Sequence, residues 1–299
     1  MPLKSFASHG GGHFTHPHGI DVNSSGEILV SDTQKNRIHV LNQSGRKLLE
    51  FGEVGNSDGN LNYPVGVAFD KNGKNIIVAD RDNHRIQIYS RKNGKFLKKF
   101  GSEGSKEGQF NGPCGISVDA NGRIIVTDWN NHRIQVFSSD GRFLFKFGDQ
   151  SGDKLKHPRN AIYSPTEECF IVSDTGHNVI KVYDKKGKFM RTIGKPGSKR
   201  GELFSPRGIA IDRNDRIIIC DFDNHRIQFF DLKGHCLNSF GAKGGGIGQF
   251  NYPTGVAVLE DDKLEEQILV TDWGNDRIQI FNTGPQWKMA RLLDLTSVG

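Results

Sequence analysis

The chain has 299 residues, of which 35% are hydrophobic, and its formal net charge is +6. Its 37 glycines and 20 phenylalanines favour many short strands joined by tight turns over a helical protein. No apolar run approaches the roughly 20 residues of a membrane span, and the four cysteines form no CxxC pair, so we expect a cytoplasmic protein without membrane contact.

One motif recurs six times and sets the length of a repeating unit. An Asp is followed five residues later by an Arg, or in one unit by Val, and successive copies lie 46 to 51 residues apart. The six pairs are Asp32 and Arg37, Asp80 and Arg85, Asp128 and Arg133, Asp174 and Val179, Asp221 and Arg226, and Asp272 and Arg277. A unit of this size cannot bury its apolar face alone, so the units must stack on one another.

Within one unit, residues 109–148, four short apolar runs are separated by turns such as Asn121-Gly122 and Asp140-Gly141. Apolar and polar positions alternate in RIQVF and FLFKF, as in half-buried antiparallel strands, whereas IIV suits a strand buried on both faces. Asn-Gly and Asp-Gly turns supply the positive φ values of tight hairpins. Each unit is therefore predicted to be a four-stranded meander.

Six such meanders predict an all-β fold, a six-bladed β-propeller of four-stranded antiparallel blades over residues 1–283. A proline precedes the innermost strand of each unit, usually as Pro-x-Gly, and the glycine is expected to allow close packing near the axis. These prolines are Pro17, Pro64, Pro113, Pro158, Pro206 and Pro253.

Ring closure is assigned to the N-terminal strand, Leu3–Phe6, which is expected to complete the last blade beside Arg277–Phe281. The competing candidate is Trp287–Leu293, within residues 284–299, which form a C-terminal tail or an extra edge strand. The propeller itself is expected to be monomeric.

The sequences DNHRIQIY (82–89), NNHRIQVF (130–137) and DNHRIQFF (223–230) resemble the NHL repeat. The Gly-rich linkers 101–113 and 241–253 are similar to those of the same family, and the resemblance covers nearly the whole chain. It is similar to the propellers of TRIM-NHL proteins, the Brat- and Lin-type post-transcriptional regulators. The fourth unit departs, because Val179 replaces the Arg and Asn160 replaces the inner-strand Gly.

The recurring Asp and Arg are interpreted as scaffold, the carboxylate accepting from turn N–H groups and pairing with the Arg five residues on or with that of the next blade. His84, His132 and His225 lie about one blade apart and therefore cannot share one metal ion. An N-terminal group, His9, His13, His16 and His18, lacks a recognised ligand spacing. We predict no catalytic residue, metal site or cofactor in this chain.

The varied positions are those that follow each recurring Asp and Pro, and strand alternation places both on one face. Basic and aromatic residues are frequent there, as unpaired nucleic acid requires, whereas a flat face cannot enter a duplex major groove. Lys35, Arg81, Arg159 and Arg207 are predicted phosphate or base contacts, and Trp129, Phe222, Tyr252 and Trp273 are predicted stacking rings. His18, Tyr63 and Asn130 complete the predicted RNA-binding set.

Burial of the Trp and Phe rings between adjacent blades is the competing interpretation for these positions. The family resemblance implies binding of single-stranded, U-rich or hairpin-loop mRNA elements for post-transcriptional repression. The alternative that it implies is a protein-interaction module that recruits partners of mRNA repression or ubiquitylation substrates. A RING E3 ubiquitin ligase activity would then lie outside this chain.

Overall fold

The computed structural model describes residues 2–6, 14–149, 153–260 and 266–283. It contains six four-stranded antiparallel sheets, which are the blades of a six-bladed β-propeller, as predicted. The innermost strand of each blade packs beside that of the next, and the last packs beside the first. The ring therefore closes around a central axis.

The first three blades follow the repeat directly. Blade one consists of β2 (Pro17–Val22), β3 (Ile28–Asp32), β4 (Arg37–Leu41) and β5 (Lys47–Phe51). Blade two consists of β6 (Pro64–Phe69), β7 (Asn75–Asp80), β8 (Arg85–Ser90) and β9 (Phe96–Phe100). Blade three consists of β10 (Pro113–Val118), β11 (Ile124–Asp128), β12 (Arg133–Phe137) and β13 (Phe143–Phe147).

Blade four has the shortest inner strand of the six and is followed by a small parallel pair. It consists of β14 (Ala161–Ser164), β15 (Cys169–Asp174), β16 (Val179–Asp184) and β17 (Phe189–Ile193). The parallel pair in the linker to blade five is β18 (Lys195–Pro196) and β19 (Glu202–Leu203).

The last two blades complete the ring. Blade five consists of β20 (Pro206–Ile211), β21 (Ile217–Asp221), β22 (Arg226–Phe230) and β23 (Cys236–Phe240). Blade six consists of β24 (Pro253–Glu260), β25 (Glu266–Asp272), β26 (Arg277–Asn282) and β1 (Pro2–Phe6). Short 3₁₀ helices follow the second strand of four blades, at Arg81–Asn83, Thr175–His177, Phe222–Asn224 and Trp273–Asn275.

The outermost strand of blade six comes from the start of the chain. β1 pairs antiparallel with β26, and Phe6 lies opposite Ile278. This is the pairing expected for Leu3–Phe6. The competing segment Trp287–Leu293 and the rest of 284–299 lie outside the described residues.

The hydrophobic core is divided into six clusters, one between each pair of adjacent blades. Between blades one and two, for example, Leu29 and Val40 pack with Val67, Val78 and Tyr89. All five residues of β11 are buried, as the continuous apolar run predicted. Because every cluster needs two blades, no blade has a complete core of its own.

The Pro-x-Gly motif brings adjacent inner strands together at the axis, as predicted. A Cβ atom on Gly66 would overlap the backbone carbonyl of Cys114 in the next blade, and Gly19, Gly115, Gly208 and Gly255 meet the neighbouring blade in the same way. Asn160 takes the place of this glycine in blade four, where the inner strand starts only at Ala161. Glycine fits this position because it has no side chain that would overlap the neighbouring inner strand.

Candidate nucleic-acid interface

The recurring Asp fixes the loops at one end of the blades, which we call the upper face. The upper face is formed by the loops that follow each second strand and by the linkers that precede each proline. In blade three, one oxygen of Asp128 accepts a hydrogen bond from the backbone N–H of Asn111 at 2.7 Å, and the other accepts one from Arg133 Nε at 2.7 Å. The same two bonds hold Asp80, Asp221 and Asp272 in their blades. The interpretation of this motif as scaffold is confirmed in these four blades.

In blades one and four, the Asp pairs with a side chain other than the Arg of the motif. Asp32 lies 3.5 Å from His39 Nε2 and 3.7 Å from Lys35 Nζ, while Arg37 turns instead to Glu50 at 4.0 Å. The predicted pairing of Arg37 with Asp32 is therefore wrong, since His39 occupies the place taken by Gln in four other blades. In blade four, where Val179 replaces the Arg, Lys181 Nζ reaches Asp174 at 3.0 Å.

The histidines of the Asn-His-Arg motif join one blade to the next. His132 Nδ1 accepts the backbone N–H of His157 at 3.1 Å, and His84 and His225 accept equivalent N–H groups in the same way. Asn36, Asn178 and Asp276 perform this role with a side-chain oxygen. All six acceptors have a left-handed backbone, with φ between 53° and 59°. These joints hold the upper-face loops in fixed positions.

Three arginines on the upper face each lie over an aromatic ring. The guanidinium carbon of Arg81 is 4.0 Å from the ring centroid of Tyr63, and that of Arg159 is 4.8 Å from Trp129. Arg207 lies over Phe222 at 3.1 Å. Arg81 also donates from Nε to Asp82 at 2.8 Å, whereas Arg159 and Arg207 have the cation–π contact without a salt bridge to any described carboxylate.

The same three arginines converge on the axis of the propeller, where His18 and Cys114 are buried. Burial lowers the pKa of His18 well below its usual value, and the neighbouring Arg207, Arg159 and Arg81 lower it further. His18 is therefore neutral at physiological pH and adds no positive charge to this face.

Arg159 and Arg207 carry the positive charge nearest to the axis. Burial, followed by repulsion from Arg159, lowers the pKa of Arg207 to about 9. The Nε atoms of both arginines are buried without a hydrogen-bond partner, and no carboxylate of the described residues forms a salt bridge with either. A half-buried guanidinium with an unpaired, buried Nε and no counter-ion is costly, so an incoming anion would be stabilised at this position.

An aromatic cluster continues around the upper face from blade five to blade one. Tyr252 lies 4.8 Å from Phe222 and 6.2 Å from Trp273, and the ring of His16 stacks on Trp273 at 4.1 Å. His225 lies 4.5 Å from Tyr252 and closes the cluster from beneath. The predicted stacking residues Phe222, Tyr252 and Trp273 are thus in contact with one another.

Several predicted contacts have different surroundings from those expected. Phe222 is only 7% exposed, so the expectation of an exposed ring is wrong there, because Arg207 and Tyr252 cover it. Trp129 and Trp273 are half-buried, and Asn130 is exposed with its amide bonded to Asn111. Lys35 is exposed beside Asp32, in blade one.

Phe204 is an aromatic residue of this face that the sequence pattern did not identify. Its side chain is 48% exposed, and its backbone N–H donates to Asp221. The residue stands two positions before Pro206, a position where the other blades have Thr, Asn or Lys. The backbone N–H of Phe204 makes the bond to the Asp that recurs in the other blades, and the side chain projects from the face.

Metal binding receives no support from the described side chains, which include no group of three or more His, Cys, Asp or Glu suited to hold an ion. His9 and His13 lie outside the described residues, while His16 contacts Trp273 and His18 lies at the axis. All four cysteines are free. In the part of the chain that the structure describes, no helix has the length and hydropathy needed to cross a membrane.

Family models match two parts of the chain. The NHL repeat model matches residues 14–41, 61–89 and 110–137, and a six-bladed β-propeller model matches residues 164–242. Among solved structures, streptogramin B lyase superposes with a TM-score of 0.64 at 20% identity, covering 94% of this chain and 87% of the lyase. At that identity the likeness concerns the fold alone.

Three curated relatives carry the same repeats. The chain is 35% identical to the Drosophila melanogaster protein brain tumor over 46% of its own length, and 45% identical to the Bos taurus E3 ubiquitin-protein ligase TRIM71 over 21%. It spans only 13% and 9% of these two proteins. It is 31% identical to the Homo sapiens NHL-repeat-containing protein 4 over 30% of its own length and 67% of that protein. The chain therefore belongs to the NHL-repeat family of six-bladed β-propellers and is a propeller module like those of TRIM-NHL proteins.

Proposed function

We propose that this propeller module binds RNA on its upper face, taking single-stranded, U-rich or hairpin-loop elements of mRNA for post-transcriptional repression. The observation that carries the proposal is the pair of half-buried arginines, Arg159 and Arg207, whose Nε atoms are buried and which lie over aromatic rings without a carboxylate partner among the described residues. Phosphate groups are the ligands that such guanidinium groups prefer.

The aromatic residues around the arginines supply the second requirement of single-strand recognition. Splayed bases stack on aromatic rings and on the flat faces of guanidinium groups. Phe204 presents an exposed ring, and Trp129 and Trp273 present half-buried ones. Arg81 and Arg159 lie on Tyr63 and Trp129, so each pair offers a ready-made stack for one base.

The basic side chains of blades four and five extend the positive field outward. Lys154, Lys156, Lys195, Lys199 and Arg200 are exposed in the linkers that precede Pro158 and Pro206. Lys195 lies near Glu202 at 3.5 Å, and Arg200 donates to the backbone carbonyl of Leu237, so these two are partly engaged. The remaining lysines supply the outer phosphate contacts of a strand that crosses the face.

We propose no catalysis, metal or cofactor for this chain. The module would act in the cytoplasm as a monomeric propeller, and its four free cysteines agree with a reducing compartment. A ubiquitin ligase activity, as in the name of the TRIM71 relative, would belong to segments outside this chain.

A protein-docking module is the second candidate, and exposed apolar side chains in the same linkers favour it. Val54 is 71% exposed and Ile247 is 68% exposed, one in the linker before blade two and the other in the linker before blade six. Contacts with a partner of mRNA repression or with a ubiquitylation substrate would bury such groups. A docking face of this type binds no single-stranded RNA at moderate salt.

Selection of random RNA on the purified module separates the two candidates. The test variant is Arg159→Glu/Arg207→Glu, and the matched control is Arg46→Glu/Arg142→Glu. The control makes the same change in net charge at two exposed arginines in turns at the opposite end of the blades. We expect an RNA motif enriched by the wild type to lose about tenfold or more in affinity on the test variant and about twofold or less on the control.

Two results would reject RNA binding by this face. One is the absence of any enriched motif with the wild-type module. The other is equal binding of the enriched RNA by the test and control variants, provided that both retain the wild-type melting temperature.

A further inference from the structure

The lower end of the propeller axis, opposite the upper face, contains a cavity of about 530 Å³. Its walls come from the inner strands of all six blades, including Ile20, Val67, Ile116, Ile162, Ile209 and Val256. The rim includes Pro165, Thr166 and Arg213, which are exposed to solvent, so the cavity is accessible from the lower end. Volumes of about 300–1,000 Å³ are typical of small-molecule sites, and this cavity combines aliphatic walls with a polar lower rim.

Asp21 is the one charged side chain among six equivalent positions in these walls. Strand register aligns it with five uncharged residues, which are Ala68, Ser117, Ile162, Ala210 and Ala257. Oδ2 of Asp21 accepts the backbone N–H of Phe69 at 2.7 Å. Burial raises the pKa of this carboxyl to about 6, which leaves it largely ionised at neutral pH.

The propeller does not require a carboxylate at this position. The joint between blades three and four has a serine there, and Ser117 Oγ donates to the carbonyl of Ala161 at 2.7 Å. Blades two, five and six have alanine, which makes no side-chain hydrogen bond. A half-buried carboxylate among aliphatic side chains is costly, and the backbone N–H groups of Phe69 and Val22 that bond to it supply no counter-charge.

The other charged groups of the cavity lie at its lower rim. Asp212 is bonded to Arg216, and the same arginine lies 3.5 Å from Glu266. Arg213, Asp215 and Tyr163 complete the titratable groups of the lining. No Lys or Arg of the described ranges forms a salt bridge with Asp21.

We propose that the lower axial cavity binds a small organic cation, a molecule with an apolar body and one ammonium group that pairs with Asp21. The apolar body replaces water along the aliphatic walls, and the ammonium supplies the counter-charge that the carboxylate lacks. The site is at the other end of the axis from Arg159 and Arg207. It is therefore independent of RNA binding.

Calorimetry and ligand-detected NMR test the proposal with three probes of equal shape: cyclohexylmethylammonium, cyclohexylmethanol and cyclohexanecarboxylate. We expect the ammonium to bind the wild-type module about tenfold more tightly than the alcohol, and the carboxylate to bind least. In Asp21→Asn, whose amide oxygen still accepts from Phe69, the preference for the ammonium disappears. Asp21→Ser, which copies blade three, gives the same result if the amide variant folds poorly.

Ala210→Phe is the companion variant, because its ring fills the cavity without a change in charge. It is expected to abolish binding of the ammonium and of the alcohol. Arg159→Glu/Arg207→Glu should bind the ammonium as the wild type does. Equal affinities of ammonium and alcohol for the wild type, an undiminished ammonium preference in both Asp21 variants, or no binding of any probe would overturn the proposal.

Discussion

Oδ1 of Asp276 accepts a hydrogen bond from the backbone N–H of His16 at 2.7 Å and thereby joins blade six to blade one. The five other joints of the ring have the same bond, with Asn or His as the acceptor. A charged, an amide and an imidazole acceptor are thus interchangeable at this position. The histidine of the Asn-His-Arg motif is therefore part of the scaffold, and function belongs to the side chains that the joint positions.

The imidazole acceptors predict that stability depends on pH. His132 and His225 accept through Nδ1, and burial lowers the pKa of both below the usual value, with neighbouring lysines contributing. Because the folded state resists a proton that the unfolded chain binds near pH 6.5, stability should fall as the pH drops through that value toward the lowered pKa. Urea unfolding between about pH 8 and pH 5 measures this loss.

The matched variant is His132→Asn/His225→Asn, which installs the acceptor that Asn36 and Asn178 already provide. Its free energy of unfolding should decline less over the same pH range. Parallel curves for wild type and variant would show that the two imidazoles do not contribute to the pH dependence.

The close approach of inner strands predicts that glycine at the axis cannot be replaced. Gly66→Ala should cost more than about 3 kcal/mol in the free energy of unfolding, since its Cβ would overlap the backbone carbonyl of Cys114. Gly245→Ala is the control. Its Cβ would meet nothing closer than Asn275 Oδ1 at 3.8 Å, so it should change stability by less than about 0.5 kcal/mol. Similar costs at the two positions would contradict this account of the axis.

The ion pairs of the repeat predict unequal costs for removing the Asp in different blades. Asp128→Ala leaves Arg133 buried without its carboxylate and should cost about 3–5 kcal/mol. Asp32→Ala removes the bond from the N–H of Thr15 but leaves no arginine unpaired, because Arg37 contacts Glu50. Its cost should be about 1–3 kcal/mol. Denaturant unfolding would refute the distinction if Asp32→Ala were the more damaging change.

The exposed ring of Phe204 is expected to contribute to RNA affinity by a contact that does not depend on charge. Phe204→Ala should weaken binding of a selected RNA by about 1–3 kcal/mol through loss of one stacked base, with the salt dependence unchanged. Val54→Ala, at an exposed apolar residue in another linker of the same face, serves as the control. An unaltered Kd for Phe204→Ala would remove this ring from the interface.

The repeat period, the turn residues and the recurring Pro and Asp were sufficient to predict the blades, their number and the scaffold role of the motif. These features are informative because each one acts within a blade or between two neighbouring blades, and it therefore recurs at a fixed spacing in the sequence. Blade one shows the limit of this reasoning. The Asp and Arg of its sequence match the pattern, but His39 in the following strand takes the place of Gln, and Arg37 contacts Glu50.

The composition of the upper face was predictable, but the exposure of its side chains was not. The exposure of a side chain depends on its contacts with the neighbouring blade. Phe222, for example, is covered by Arg207 and Tyr252. Phe204 was missed because it stands two residues before its proline, outside the varied positions that the repeat marks. Asp21 gave no signal, because an Asp near the end of a strand is ordinary until the register places it in a cavity.

The most direct test of RNA binding is the Kd of a selected single-stranded RNA measured from about 50 to about 200 mM salt, for wild type and for Arg159→Glu/Arg207→Glu. If Arg159 and Arg207 each neutralise one phosphate, these two contacts should contribute about −1.4 to the slope of the logarithm of the association constant against the logarithm of salt concentration. The charge-reversed variant should lose affinity, and its slope should be less steep than that of the wild type by about this amount. Tight binding without salt dependence, or an unchanged slope in the variant, would contradict an RNA interface centred on these arginines.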